Sequence, residues 1–166
     1  MKKLLVALCL LVWPVVASGH DVQPSRDAAM QTFSLYAGKL RGDFFFKNGG
    51  VSDQVGLGMS IPDRPVRQDD GTWLVAGCRV KSCTEKAAII ATSGGEALAG
   101  GILYYACPRI PAAKDCFSHP HLAIFQRRSA TSPSLARNLA DWARRELAAY
   151  KDYHPLEIDK TRMLPN

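Results

Sequence analysis

The sequence predicts a single α+β domain, with an antiparallel sheet of about four to five strands and helices packed on one face. The first observation is a succession of short apolar segments at residues 72–76, 87–92, 99–106 and 121–126. Such a succession with short links is typical of an antiparallel meander. The second observation is an amphipathic segment on either side of these strands, because apolar residues at helical spacing predict helices that cover a sheet.

The first helix is expected to follow Ser25, a favoured N-cap residue. Apolar residues then recur at helical spacing, and these are Ala29, Phe33, Tyr36 and Leu40. Residues 42–70 are rich in Gly, Pro and Asp, which predicts an irregular segment. Within this segment, Phe44, Phe45 and Phe46 are expected to pack beneath the loop.

The last helix is expected to begin at Ser132 and Pro133, because serine is favoured at the N-cap and proline at the first helical position. Its apolar face contains Leu135, Leu139, Trp142, Ala143 and Tyr150. On the other face, Arg137, Asp141 and Arg145 follow one another four residues apart and are expected to form ion pairs. The tail beyond Pro155 is expected to be loosely ordered.

The N-terminus has the pattern of a secretory signal peptide. Lys2 and Lys3 precede an apolar run from residue 4 to residue 17, and small residues follow. This pattern predicts cleavage before His20, with cleavage after Ala17 as the near alternative. A retained anchor is the other interpretation, but the run is shorter than the roughly 20 apolar residues of a transmembrane helix. We therefore expect residues 1–19 to be a signal peptide and residues 20–166 to be one exported domain.

Removal of Lys2 and Lys3 lowers the formal net charge from +6 to +4, and the charges in the rest of the chain are mixed. There is no tract of Lys and Arg with interleaved aromatic residues, so a nucleic-acid partner is not expected. We expect a periplasmic protein that has no membrane association after cleavage.

The cysteines predict disulfide bonds. Loss of Cys9 with the signal peptide leaves four cysteines, and an even number in an exported chain indicates two disulfides. Of the three possible pairings, the spacing favours Cys78–Cys83 and Cys107–Cys116. Zinc binding is the alternative, but the spacing is not a tight ligand pattern and an oxidising compartment disfavours free thiolates.

No catalytic constellation is found in the sequence, and we do not expect an enzyme. Gly-x-Ser-x-Gly, His-Glu-x-x-His and a phosphate-binding glycine loop are all missing. His119 and His121 could supply two metal ligands, but the proline between them favours the end of a loop. We expect no metal and no cofactor. A copper-binding protein that uses an N-terminal His20 is a weaker hypothesis.

The strongest functional signal is the segment Gly77-Cys78-Arg79-Val80-Lys81-Ser82-Cys83 between two predicted strands. With its flanks, from Asp70 to Leu103, it resembles the inhibitor of vertebrate lysozyme (Ivy) family of exported Gram-negative proteins. Members of that family present a six-residue disulfide loop, usually Cys-Lys-Pro-His-Asp-Cys. The resemblance implies a protruding loop that enters the active-site cleft of a c-type lysozyme, where the histidine engages the catalytic carboxylates.

The loop departs from the family pattern at three positions. Both cysteines and the basic residue, Arg79, are kept, whereas Val80 replaces the proline, Lys81 the histidine and Ser82 the aspartate. The segment that contains Cys107 and Cys116 resembles an added loop. The resemblance therefore implies an inhibitory loop at residues 78–83 in which Lys81 stands in place of the histidine that engages the catalytic carboxylates.

A lysozyme cleft holds two carboxylates that flank the scissile bond, so a cation at Lys81 or Arg79 could take the histidine's place. An ammonium group is strongly hydrated, so it loses more hydration free energy on burial than an imidazole does. A chain with a net charge of +4 also repels basic c-type lysozymes. The sequence thus predicts an inhibitor of c-type lysozyme or of a less basic muramidase, such as a lytic transglycosylase. The alternative is a periplasmic binding or scaffolding module of the same fold that does not inhibit.

Overall fold

A computed structural model describes residues 22–106 and 118–165 of the chain. The expectations for the signal peptide, for His20 and for a Cys107–Cys116 disulfide concern residues outside these ranges. The described residues form three α-helices, which are α1 (Arg26–Ala37), α2 (Val51–Gly58) and α3 (Pro133–Leu147). They also form ten strands: β1 (Arg41–Gly42), β2 (Gly49–Gly50), β3 (Ile61–Pro62), β4 (Val66–Arg67), β5 (Trp73–Arg79), β6 (Ser82–Ala91), β7 (Ala97–Tyr105), β8 (Pro120–Arg127), β9 (Glu157–Ile158) and β10 (Arg162–Leu164).

The four long strands, β5 to β8, form an antiparallel meander in sequence order. At one edge, β3 and β4 pair antiparallel to β5. At the other edge, β9 and β10 pair parallel to β8. The α+β class and a mainly antiparallel sheet are thus confirmed. The sheet has eight strands among the described residues, more than the four to five expected, because strands of two or three residues are too short to show alternation.

The sheet carries helices on both of its faces, in contrast to the expected packing on one face. Phe33 of α1 and Val55 of α2 belong to the core on one face. Leu139 and Trp142 of α3 belong to the core on the other. The physical reason lies in the strands: residues 87–91 of β6 are all buried, and a continuous apolar run needs cover on both faces.

The helix caps agree with the predictions from the sequence. The Ser25 hydroxyl accepts a hydrogen bond from the Ala28 N–H at 3.1 Å, and α1 follows it directly. The Ser132 hydroxyl accepts one from the Ser134 N–H at 3.3 Å, and Pro133 is the first residue of α3. In residues 22–106 and 118–165, no helix is long and apolar enough to cross a membrane.

Helix α2 lies in the segment that was expected to be irregular. Its glycines lower helix propensity, but Gly58 serves packing, because a Cβ atom there would lie 2.7 Å from the Cβ of Ala87 in β6. Phe44 is buried in the loop before α2, Phe45 is half-buried and Phe46 is exposed. Phe44 and Phe45 therefore pack beneath the loop as expected, whereas Phe46 does not.

Candidate functional site

The Cys78–Cys83 segment forms the tip of the β5–β6 hairpin. Arg79 pairs with Ser82, so that Val80 and Lys81 are the two residues of the turn. The predicted Cys78–Cys83 disulfide is present, with the two Cα atoms 4.8 Å apart. The bond ties the end of β5 to the start of β6 and constrains the turn that lies between them.

Lys81 is the cation at the end of this hairpin. It is exposed and has a φ of +65°, in the left-handed region that residues other than glycine seldom adopt. Within the described part of the chain, no carboxylate forms an ion pair with its ammonium group. The turn therefore projects a positive charge that is available to a partner.

Arg79 is held against its own molecule. Its Nη1 atom lies 2.5 Å from Oε2 of Glu85, and its guanidinium lies 5.7 Å from the centre of the Phe45 ring. Both members of the ion pair are partly buried. Of the two cations proposed from the sequence, Arg79 thus has an internal partner, whereas Lys81 has no acidic partner among residues 22–106 and 118–165.

The arrangement around Arg79 depends on a change of register between the strands. Cys78 pairs with Lys86, whereas Arg79 pairs with Ser82, so Cys83, Thr84 and Glu85 form an outward bulge of β6. The bulge brings the Glu85 carboxylate to Arg79. No motif in the sequence indicates this bulge, and the role of Glu85 was missed for that reason.

Apolar side chains are exposed close to the turn. Val80 is 48% exposed, and Ile61, which pairs with Cys78 across β3 and β5, is 44% exposed. Phe46, which follows Phe45 in the chain, is also exposed. A cation beside exposed apolar groups is a surface suited to contact with another protein.

The same end of the sheet has a second cluster of polar side chains, at the junction of β7, β8 and β9. The Tyr104 hydroxyl donates a hydrogen bond to Oδ2 of Asp159 at 2.8 Å, and Nδ1 of His121 lies 3.4 Å from Oδ1 of the same carboxylate. Burial and this hydrogen bond raise the pKa of Tyr104, so the phenol stays protonated as a donor. The cluster attaches the C-terminal tail to the sheet, and sequence reasoning missed Tyr104 and Asp159.

The two histidines considered as metal ligands have other contacts. His119 stacks on His154 with ring centres 3.9 Å apart, while His121 faces Asp159 and, at 3.7 Å, Glu157. Among residues 22–106 and 118–165, no three His, Cys, Asp or Glu side chains are grouped to hold a metal ion.

Comparisons of the chain with protein-family models, with curated proteins and with solved structures find no match. The likeness to lysozyme inhibitors therefore rests on the sequence around the Cys78–Cys83 loop.

Proposed function

We propose that this protein is an exported inhibitor of a peptidoglycan-cleaving muramidase and that it acts by inserting the β5–β6 turn into the active-site cleft. The observation that supports the proposal most is Lys81, an exposed cation on a disulfide-closed turn with no acidic partner among the described residues. Export to the periplasm and a role as a binding protein, not an enzyme, are parts of the same proposal.

The chemistry of the target favours a cation on a constrained loop. A lysozyme cleft carries two carboxylates that flank the scissile bond, and in any target the Lys81 ammonium would be attracted to the catalytic carboxylate. The disulfide holds the turn in one arrangement before binding, which reduces the ordering cost of association. This reduction in the free-energy cost of binding offsets part of the large free-energy cost of desolvating an ammonium group.

The side chains beside Lys81 would have different tasks in such a complex. Arg79, through its ion pair with Glu85, holds the turn in position and does not enter the cleft. Val80 and Ile61 would contact the rim of the cleft, where exposed apolar area is removed from water. The contact surface would therefore be a central charge with apolar neighbours.

The charge of the whole chain bears on the choice of target. The formal net charge is +6 for the full sequence and +4 once Lys2 and Lys3 are removed. Repulsion slows association with a strongly basic lysozyme and is relieved by salt. A less basic muramidase, such as a lytic transglycosylase, fits this protein better.

The test is inhibition of a c-type lysozyme and of a lytic transglycosylase by the oxidised protein purified after expression of the full chain. Lys81→Gln is expected to weaken inhibition about thirtyfold, or about 2 kcal/mol, because it removes the charge that enters the cleft. Arg79→Gln should have a smaller effect. Lys39→Gln, an exposed change at the end of α1, is the matched control and should inhibit like the unchanged protein.

Two results would count against the proposal. If neither enzyme is inhibited at about 100 μM protein, far above the range of specific complexes, the chain is a binding module for another envelope partner. If inhibition is found but Lys81→Gln leaves it unchanged, the turn is not the inhibitory element. N-terminal sequencing of the exported protein tests the leader, with His20 as the expected first residue.

A further inference from the structure

A groove of about 760 Å³ lies between α3 and the chain segment 63–76, which contains β4 and the start of β5. Val66, which is 53% exposed, contributes apolar surface to its lining, whereas Leu74, Ala76 and Trp142 also line it but are buried in the core beneath α3. None of residues 79–83 takes part, so the groove is separate from the turn proposed to inhibit a muramidase. An inference about the groove does not depend on that proposal.

Three of the four arginines that line the groove have no acidic partner among the described residues. Arg137 and Arg145 of α3 line one wall and Arg64 lines the other, and all three are exposed. In the part of the chain that the structure describes, none of them forms an ion pair. The expectation that Asp141 pairs with Arg137 and Arg145 is wrong, because Asp141 accepts a hydrogen bond from Arg144 at 2.8 Å.

Most of the acidic side chains in the groove are already engaged. Glu146 forms an ion pair with Lys86 at 2.9 Å, and Asp141 is paired with Arg144.

Asp70 accepts hydrogen bonds from the backbone and the hydroxyl of Thr72 and from Asn138. Partial burial opposes ionisation of Asp70, but these hydrogen bonds outweigh it and lower the pKa of the carboxyl. Asp63 and Asp69 also line the groove, on the wall opposite α3. The wall formed by α3 therefore presents an excess of unpaired positive charge.

The spacing of the arginines fits an extended peptide. Arg137 and Arg145 are eight residues apart on one helix, which places their Cα atoms about 12 Å apart along its axis. Residues i and i+4 of an extended chain lie about 13 Å apart and point to the same side. Asn138 and Gln68 also line the groove, and their side-chain oxygens can accept hydrogen bonds from a peptide backbone, while their amide nitrogens bond Asp70 and the Val66 carbonyl.

We propose that the groove binds an extended acidic segment of another protein, with carboxylates four residues apart that contact Arg137 and Arg145. The apolar lining takes the residue between the two acidic ones, and Arg64 contacts the segment from the opposite wall. Guanidinium groups suit this task because their planar forks match carboxylates in two parallel hydrogen bonds.

The test is titration of the protein, purified after expression of the full chain, with the peptide acetyl-Glu-Thr-Val-Thr-Glu-amide. Binding is followed by NMR, using the indole signal of Trp142, a residue that lines the groove, as the reporter. The matched peptide with glutamine in place of both glutamates should bind at least about tenfold more weakly, and salt should weaken binding of the acidic peptide.

The double variant Arg137→Gln/Arg145→Gln should also lower the affinity about tenfold, whereas Arg128→Gln, an exposed change outside the groove, should leave it unchanged. An unaltered melting temperature shows that the double variant is folded. If the double variant is not folded, the peptide affinity of Arg64→Gln, on the other wall, is compared with that of the unchanged protein instead. The proposal is overturned if the glutamine peptide binds equally well, if neither peptide binds at millimolar concentration, or if inorganic phosphate binds where the acidic peptide does not.

Discussion

At the scale of single residues, Gln54 organises the loop that precedes α2. Its side chain is fully buried, and its Oε1 atom accepts hydrogen bonds from the backbone N–H groups of Phe44, Phe45 and Phe46 at 3.3, 2.9 and 3.3 Å. Its Nε2 atom donates to the carbonyl of Gly42 at 2.9 Å. One amide thus satisfies four backbone groups of an irregular segment, and this segment supplies the Phe45 ring beneath Arg79.

Gln54→Met is expected to lower the free energy of unfolding by about 2–4 kcal/mol, because it keeps the length of the side chain but leaves buried backbone groups without partners. Denaturant unfolding measures the loss. Gln31→Met, at an exposed position of α1, is the control and should change stability by less than about 0.5 kcal/mol. Equal stability of the two variants would show that Gln54 does not hold the loop.

The candidate site illustrates how far single residues could be assigned from the sequence. The disulfide and the position of Lys81 at a turn follow from a cysteine spacing and a motif. The difference between Arg79 and Lys81 does not, because it depends on the bulge that brings Glu85 to Arg79. A bulge is decided by the pairing of two strands, and no local pattern marks it here.

At the scale of secondary-structure elements, two adjacent glycines of β7 determine how closely the helices approach the sheet. Their positions face opposite sides, as successive residues of a strand do. A Cβ atom at Gly100 would lie 2.5 Å from the Cε2 atom of Phe33 in α1. At Gly101 it would lie 3.3 Å from methyl groups of Leu122 and Leu139, on the α3 side.

Gly100→Ala is therefore expected to cost about 1–3 kcal/mol, since the buried Phe33 ring has to move. Gly101→Ala should cost less than about 1 kcal/mol, because leucine methyl groups can shift by a few tenths of an ångström. Thermal and denaturant unfolding of both variants give the comparison. A larger loss for Gly101→Ala would mean that α3, and not α1, is the more closely packed helix.

The prediction of elements succeeded where the signal is local and failed where it is not. Both predicted helix starts are correct because Ser25 and Ser132 act within their own first turns. Helix α2 was missed because Gly56 and Gly58 lower its helix propensity and the segment around it is rich in Gly, Pro and Asp, although Val51 and Val55 recur at helical spacing. The tail beyond Pro155 forms β9 and β10 since it pairs with β8, a strand that lies more than 30 residues earlier in the chain.

At the scale of the whole molecule, one sheet is shared by two cores. The strands β5 to β8 contribute alternate side chains to the core beneath α1 and α2 and to the core beneath α3. Neither core has a sheet of its own, so loss of one removes the support of the other. We expect the described domain to unfold as a single cooperative unit.

Leu139→Ala tests this expectation. The Leu139 side chain is fully buried beneath α3, and its truncation should cost about 2–5 kcal/mol. Far-ultraviolet circular dichroism and tryptophan fluorescence should report the same lowered transition. Leu35→Ala, at a position on α1 that is 74% exposed, should leave the midpoint of the unfolding transition unchanged. Two separate transitions, with α3 unfolding first, would contradict the shared-sheet description.

The sequence by itself determined the α+β class, the order of the long strands, the caps of α1 and α3, and the Cys78–Cys83 disulfide. Each depends on residues that are close in the chain, through hydrogen bonds of a first turn, apolar periodicity or a five-residue cysteine spacing. Only the tertiary structure decided that α3 covers the opposite face from α1 and α2. It also decided that, among the described residues, Glu85 binds Arg79 while Lys81, Arg137 and Arg145 have no acidic partner. These features arise from contacts between segments far apart in the chain, whose relative positions are selected by burial of apolar area on both faces of the sheet.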